Sequence, residues 1–334
     1  MTQLSTLSKS RRQLITYGAA TLGGSLLLSA CGGGGDDKTV ATQVDEAKRV
    51  MNQAEAKPEC SIFVEAVKAC GLESTLDDSG TVTAFAFTND GFNATLGELN
   101  VSKDQLFADK TTLTAIVKCH IMSKAQFTEA IVEGHTLDTI GGGFFKIDKE
   151  NNVFTATDGR NRLCKLTNTD VTALNGVLHV IDKTMLPANM DIIVTCEEKP
   201  DIKPDCETAM RCIEACGLTD TLKQPGPFTF FCPTNAAFQA VLIELNITLE
   251  ALLADIPRCK KIMQCHMVPA RKCKKEFKTD EPVVTVQVDV SIKINATFQV
   301  VDPRGRICNL SKPDVLNTNG VLHLCDKVIL PVDA

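Results

Sequence analysis

The chain carries two copies of one unit, and this constrains its fold more than any other feature. A constant offset of 146 residues lays Cys60 to His120 onto Cys206 to His266. Within that span Ala69-Cys70-Gly71-Leu72 falls on Ala215-Cys216-Gly217-Leu218, and Thr88-Asn89 with Phe92 falls on Thr234-Asn235 with Phe238. Two residues are then lost and the offset becomes 144, which brings Asn175-Gly176-Val177-Leu178-His179 onto Asn319-Gly320-Val321-Leu322-His323. Asp182-Lys183 and Leu186-Pro187 follow onto Asp326-Lys327 and Leu330-Pro331 at the same offset. Each copy has an ordinary domain size. The expected divisions are one domain over 46–190, a linker over 191–204 marked by Pro200 and Pro204, and a second domain over 205–334.

Local patterns within a copy mix helix and strand. Ile62, Phe63, Ala66, Val67 and Cys70 form a helical stripe, closed by Gly71 as a C-terminal stop. Val82 to Phe87 and its counterpart from Phe228 read as short strands, and Thr88-Asn89 and Thr234-Asn235 as the N-caps of the helices that follow. Leu113, Ile116, Val117 and His120 share one helical face. From Val284 to Ile294 the even positions are apolar, the period of a half-buried strand folded into a hairpin. Val177 to Ile181 is apolar on both faces and reads as a buried strand, entered through a tight turn at Asn175-Gly176. Helices first and strands later describe an α+β domain.

A strand followed by Thr-Asn-x-x-Phe, a middle helix ending at a His, and a final Asn-Gly-Val-Leu-His-(Val/Leu)-x-Asp-Lys-x-x-Leu-Pro together resemble the fasciclin-like domain. The likeness covers nearly all of 60–187 and 206–331. It implies two tandem domains, each a β-wedge or sandwich packed with a small helical bundle, and it implies extracellular adhesion or ligand contact. In that family a Tyr-His pair often precedes the middle loop; here Cys119-His120 and Cys265-His266 stand at that place.

The first thirty residues read as an export signal. Lys9, Arg11 and Arg12 precede a Gly-interrupted apolar run from Leu14 to Leu28 that is too short to span a membrane. Arg11-Arg12 resembles a twin-arginine signal, with Leu14 where such signals often carry Phe. Leu28-Ser29-Ala30-Cys31 resembles a lipobox, so Cys31 is the expected lipidated residue. Residues 31–45, with their Gly32 to Gly35 run, form the expected anchor and flexible tether. This places the chain in the bacterial cell envelope, at the outer membrane or cell surface, touching the membrane through its lipid alone.

Fifteen cysteines are many for 334 residues, and fourteen remain once Cys31 is set aside. An oxidising compartment favours disulfides. Eight recur between the copies: Cys60, Cys70, Cys119 and Cys164 against Cys206, Cys216, Cys265 and Cys308. Two bridges per domain is the simplest expectation, with the connectivity open. The second copy adds Cys212, Cys232, Cys259, Cys273 and Cys325 where the first has apolar or small residues, and Cys196 falls in the expected linker, where it is a candidate tie between the domains. Paired Cys-x-x-Cys spacing is absent, so no zinc or redox motif is read and no metal or cofactor is expected.

The net charge of −6 becomes more negative once the three basic signal residues are removed, which excludes nucleic acid as a partner. Gly-x-Ser-x-Gly, a phosphate-binding loop and His-Glu-x-x-His are all missing, so no catalytic residues are assigned and the chain is not read as an enzyme. The candidate contacts for a partner are His120 and His266 together with the basic cluster Arg271, Lys272, Lys274 and Lys275. The sequence therefore points to an envelope-anchored adhesion or protein/matrix interaction module. The alternative is a carrier of a hydrophobic small molecule or soft metal.

Overall fold

The computed structural model describes residues 48–78 and 80–333; the expected signal, Cys31 and the expected tether through residue 45 lie outside the described residues. Among the described residues no helix is long and apolar enough to cross a membrane.

The helical stripe becomes Ser61–Ala69, which buries Phe63, Ala66 and Val67. Its end is a Schellman turn: Gly71 takes φ 63, its N–H reaches Lys68 O at 3.0 Å, and the Leu72 N–H reaches Val67 O at 3.1 Å. The second copy repeats this after Lys203–Ala215, with Gly217 at φ 64. Thr88 and Thr234 cap their helices, each hydroxyl accepting the backbone N–H three residues on, from Gly91 and Ala237.

The strands of the first repeat are β1 (Val82–Phe87), β2 (Ile121–Met122), β3 (His135–Asp138), β4 (Phe144–Glu150), β5 (Val153–Thr157), β6 (Leu163–Ala173) and β7 (Gly176–Ile181). They form one sheet in the order β2-β1-β7-β6-β5-β4-β3. The second repeat has β8 (Phe228–Pro233), β9 (Met267–Val268), β10 (Pro282–Val284), β11 (Ser291–Ile294), β12 (Val300–Val301), β13 (Ile307–Cys308), β14 (Leu310–Asn317) and β15 (Gly320–Cys325). These divide into sheets ordered β14-β15-β8-β9 and β10-β11-β12-β13. At the centre of each repeat is one parallel pair, β1 with β7 and β8 with β15. Both of its strands are buried nearly throughout, which is why they read as unbroken apolar runs. The fold is α+β, with helices and sheets in each repeat.

Asn175 does more than turn the chain. Its Oδ1 accepts the Val50 N–H at 2.9 Å and its amide donates to Leu76 O and Asp78 O. Asn319 does the same for Ile192 N–H, Leu222 O and Gln224 O. A second repeated device escaped the sequence reading. Buried Asp158 accepts from the Arg162 guanidinium, the Arg160 and Arg162 N–H groups and the Leu186 N–H. Asp302 and Arg306 repeat it, with Arg304 and Leu330 supplying the other N–H groups. These saturated ion pairs pin the loop before the last strands to the segment that leaves each repeat.

Two expectations are corrected. The stretch 191–204 is not a linker. It contains the helix Ile192–Glu198, capped by Asp191, and the start of the next helix. Ile192, Ile193 and Cys196 lie in the core of the second repeat, so Cys196 ties no domains together. Pro204 occupies the first turn of its helix, where the missing N–H costs nothing. The alternation from Val284 to Ile294 is also not one continuous strand pattern. β10 and β11 do pair as the expected hairpin, but residues 285–290 are its loop, with Val288 73% exposed, and Val284 at the end of β10 is 65% exposed.

Candidate functional site

The basic cluster is the most informative site, because it lies on a seam between the repeats. Arg271 donates to Asp138 at 2.7 Å, and its guanidinium sits 4.1 Å from the centre of the Phe144 ring. Lys275 pairs with Glu133. Glu276 accepts both the N–H and the hydroxyl of Thr136, at 2.9 and 2.7 Å. The Lys274 N–H is taken up by Asp314, which also pairs with Lys146 of the first repeat at 3.0 Å. Burial pulls the Lys146 ammonium down, but Asp314 and Asp148 more than offset this and leave it above its ordinary value. Asn161 closes the seam with two bonds to the Leu316 backbone, and Phe144 packs on Cys273, Leu316 and Val321. The cluster expected to meet an outside anion thus contributes to docking the second repeat on the first. Lys272 gives its N–H to Thr229 and its ammonium to Glu276 O.

This seam yields a measurable consequence. Lys146→Ala leaves the partly buried Asp314 carboxylate without its cation and should weaken docking by about 1.5–3 kcal/mol. Hydrogen exchange at the Thr136 and Leu316 amides, both bonded across the seam, should accelerate while the β1 and β7 amides stay protected.

The structure removes His120 and His266 from the list of partner contacts: both are fully buried. His120 Nδ1–H donates to Ile116 O at 2.7 Å and its Nε2 accepts the Met185 N–H at 2.9 Å. His266 makes the same bonds to Ile262 O and Ile329 N–H. Each ring is a neutral bracket joining the middle helix to the segment after the last strand. Burial pushes both imidazoles down to about 4. His179 and His323 are brackets of the opposite tautomer, accepting at Nδ1 from Asp170 and Asp314 N–H and donating from Nε2 to Gln126 O and Lys272 O.

The cysteines are grouped otherwise than the repeat predicted. All fourteen described cysteines are free thiols. Cys60 and Cys70 flank a nine-residue helix, so they lie about 15 Å apart at 1.5 Å per residue, beyond the reach of a disulfide. Cys206 and Cys216 are separated in the same way. Cys308 lies against Cys325 and Cys216 against Cys259. Burial raises Cys60 to about 11 and Cys164 and Cys265 to about 12, which keeps them protonated. Cys196, Cys206 and Cys232 converge, their sulfurs all within 4.8 Å of one another. Hydrogen bonds from the other two thiols pull Cys206 down.

A cleft of about 220 Å³ opens beside the Gly141–Gly143 turn, bounded by Met185, Leu186 and Leu316. Asp158 lines it with both oxygens already bonded inside the protein. Cys119 lines it too, its sulfur 3.5 Å from His120 Nδ1, but that nitrogen gives its N–H to Ile116 O and burial pushes the thiol up, so the pair is not set up as nucleophile and base.

Parallel β1–β7 and β8–β15 pairs, each framed by the same Asn, His and Asp–Arg devices, define a tandem repeat of a single α+β domain. The fasciclin domain family matches over residues 58–187 and 204–331, and the chain belongs to that family. Human periostin is 28% identical over 299 residues, covering 86% of this chain and 32% of periostin. Rabbit transforming growth factor-beta-induced protein ig-h3 is 25% identical over 266 residues, covering 79% of this chain and 36% of its own length. The chain thus spans about a third of these two relatives. A Synechocystis protein, sll1483, is 34% identical over 145 residues, 43% of this chain and 76% of that protein. A solved fasciclin domain pair from the insect cell adhesion molecule Fasciclin I aligns at 19% identity over 82% of this chain and 98% of that one, with a TM-score of 0.41.

Proposed function

We propose that the chain is an adhesion or matrix-interaction module held at the bacterial envelope by a lipid on Cys31, acting by binding and without bond chemistry. The observation that carries this reading is the internal use of its chemical groups. All four histidines that recur between the repeats, both Asp–Arg pairs and much of the basic cluster are spent on holding a two-repeat body together. Membership of the fasciclin family supports adhesion. The partner is an envelope or extracellular protein or matrix component, met by the outer faces of the body. The exposed side chains Ile243, Val284 and Val288, at 81%, 65% and 73% exposure, offer apolar contact points there.

The test is genetic and biochemical. Deleting the chain should lower attachment of the cells to surfaces or matrix, and the parent gene should restore it. Cys31→Ser should release the chain from the membrane fraction and fail to restore attachment. Attachment unchanged by the deletion would contradict the adhesion reading, and membrane retention of the serine variant would contradict the anchor.

A further inference from the structure

Cys196, Cys206 and Cys232 reach one point from three elements: the helix Ile192–Glu198, the first turn of the helix Lys203–Ala215, and β8. All three are buried, at 1%, 0% and 0% exposure. The Cys232 and Cys206 sulfurs are 3.4 Å apart. The first repeat shows what this place looks like without the cluster. The matching clamps of Asn175 on Val50 and Asn319 on Ile192 align Ala54 with Cys196, and the constant offset aligns Cys60 with Cys206 and Ala86 with Cys232. Ala54, Cys60 and Ala86 are likewise fully buried. One repeat has a single thiol between two methyl groups; the other has three thiols facing one another in the same framework.

Packing alone does not account for this set. Alanine fills the same positions in the first repeat, and a disulfide uses two sulfurs and leaves the third over. We propose that Cys196, Cys206 and Cys232 form a three-coordinate thiolate site for a soft d¹⁰ monovalent cation, with Cu(I) the best match. Soft thiolates select such ions over oxygen-seeking cations. With metal–sulfur bonds of about 2.3 Å, a trigonal centre holds its sulfurs about 4.0 Å apart, inside the 4.8 Å within which these sulfurs lie. Structural zinc takes four ligands, and among the described residues no fourth His, Cys, Asp or Glu joins this group. Cys196 also lines a surface groove of about 500 Å³ that contains Met210, whose thioether is a second soft donor along the way in. Binding releases the thiol protons to solvent as each Cu–S bond forms, and no electron is transferred.

The site goes beyond the adhesion reading and does not depend on it. The experiment titrates the full chain, reduced and under anaerobic conditions, with Cu(I) against bicinchoninate and counts retained copper by native mass spectrometry. The parent should withhold one equivalent from the competitor. Cys196→Ala and Cys232→Ala install the residues of the first repeat, so folding should be kept. Each should weaken retention at least about 100-fold, beyond the 10–100-fold that loss of an outer-shell partner costs. Cys259→Ala should leave retention unchanged. X-ray absorption on the parent loaded with one equivalent should show three sulfur neighbours at about 2.3 Å, a reading that needs no variant to fold. Absence of retained copper, retention indifferent to Cys196 and Cys232, two sulfur neighbours or oxygen neighbours, or a disulfide mapped within the trio of the chain isolated from its envelope would each overturn the proposal.

Discussion

Gly176→Ala and Gly320→Ala should each unfold the repeat that carries them. The two glycines start the central parallel pairs, opposite Val82 and Phe228, with φ of 151 and 155, where side chains are rarely tolerated. A Cβ at Gly176 would lie 1.8 Å from Val82 O, and one at Gly320 1.9 Å from Phe228 O. Those oxygens belong to the backbone of the central strands, at the starts of β1 and β8, and have no flexible end that can swing away. Relief requires separating the pair that both cores are built on, so the expected cost is about 4 kcal/mol or more, in the range reserved for such clashes. Chemical denaturation followed by circular dichroism should show one repeat lost in the absence of denaturant. Gly97→Ala supplies the control. It lies exposed in a helix with nothing within 4 Å of its would-be Cβ, and should stabilise by about 0.5–1 kcal/mol.

Acid should destabilise both repeats well above the pH at which most carboxylates protonate. His120 and His266 have pKa values near 4 when folded and about 6.5 when unfolded. A depressed folded value means that the stability is fully present above pH 6.5, falls as the unfolded chain takes up protons below that, and is gone once pH has dropped through 4. Each histidine should account for about 3 kcal/mol across this window. The cause is burial first, and the geometry agrees: protonating Nε2 removes the acceptor for the Met185 or Ile329 N–H. The Arg162 and Arg306 guanidiniums disfavour the added charge, with Asp302 opposing them at His266. Together the loss is about 6 kcal/mol, comparable to the whole stability of many domains. The urea midpoint should therefore fall steeply between pH 7 and pH 4.5. Far-UV circular dichroism is the suitable probe, since the chain has no Trp and its one Tyr is Tyr17, outside both repeats. His120→Gln keeps a donor and an acceptor and should flatten the pH dependence of the first repeat. An unchanged midpoint across that range would contradict the neutral-bracket account.

Much of the fold was legible because its signals are local. The strand Val82–Phe87, the caps at Thr88 and Thr234, and the Gly71 and Gly217 helix stops follow from apolar runs, hydroxyl placement and left-handed glycine. The repeat then carried each of these to the second copy. What the sequence concealed is set by distant partners. Asp158 and Arg162 are four residues apart, an unremarkable spacing until the fold buries them against Leu186. The helix Ile192–Glu198 was hidden by Pro200 and Pro204, which read as linker punctuation although one of them opens a helix. The segment Arg271 to Lys275 has the composition of a solvated basic face, and only the approach of Asp138 and Glu133 from the other repeat shows otherwise. The thiol trio was missed for the same reason. Cys196 and Cys232 are 10 and 26 residues from Cys206 and meet it only through tertiary structure.

The seam built on Arg271, Glu276, Asp314 and Lys146 joins the two fasciclin domains into one body. Small-angle X-ray scattering of the full chain tests it most directly, with a Lys146→Ala, Glu276→Ala double variant beside it. The account predicts that the parent scatters with the two domains in the docked arrangement, and that the double variant shifts to a broader distribution of interdomain distances. A parent that already scatters as two independently moving domains, indistinguishable from the variant, would contradict it.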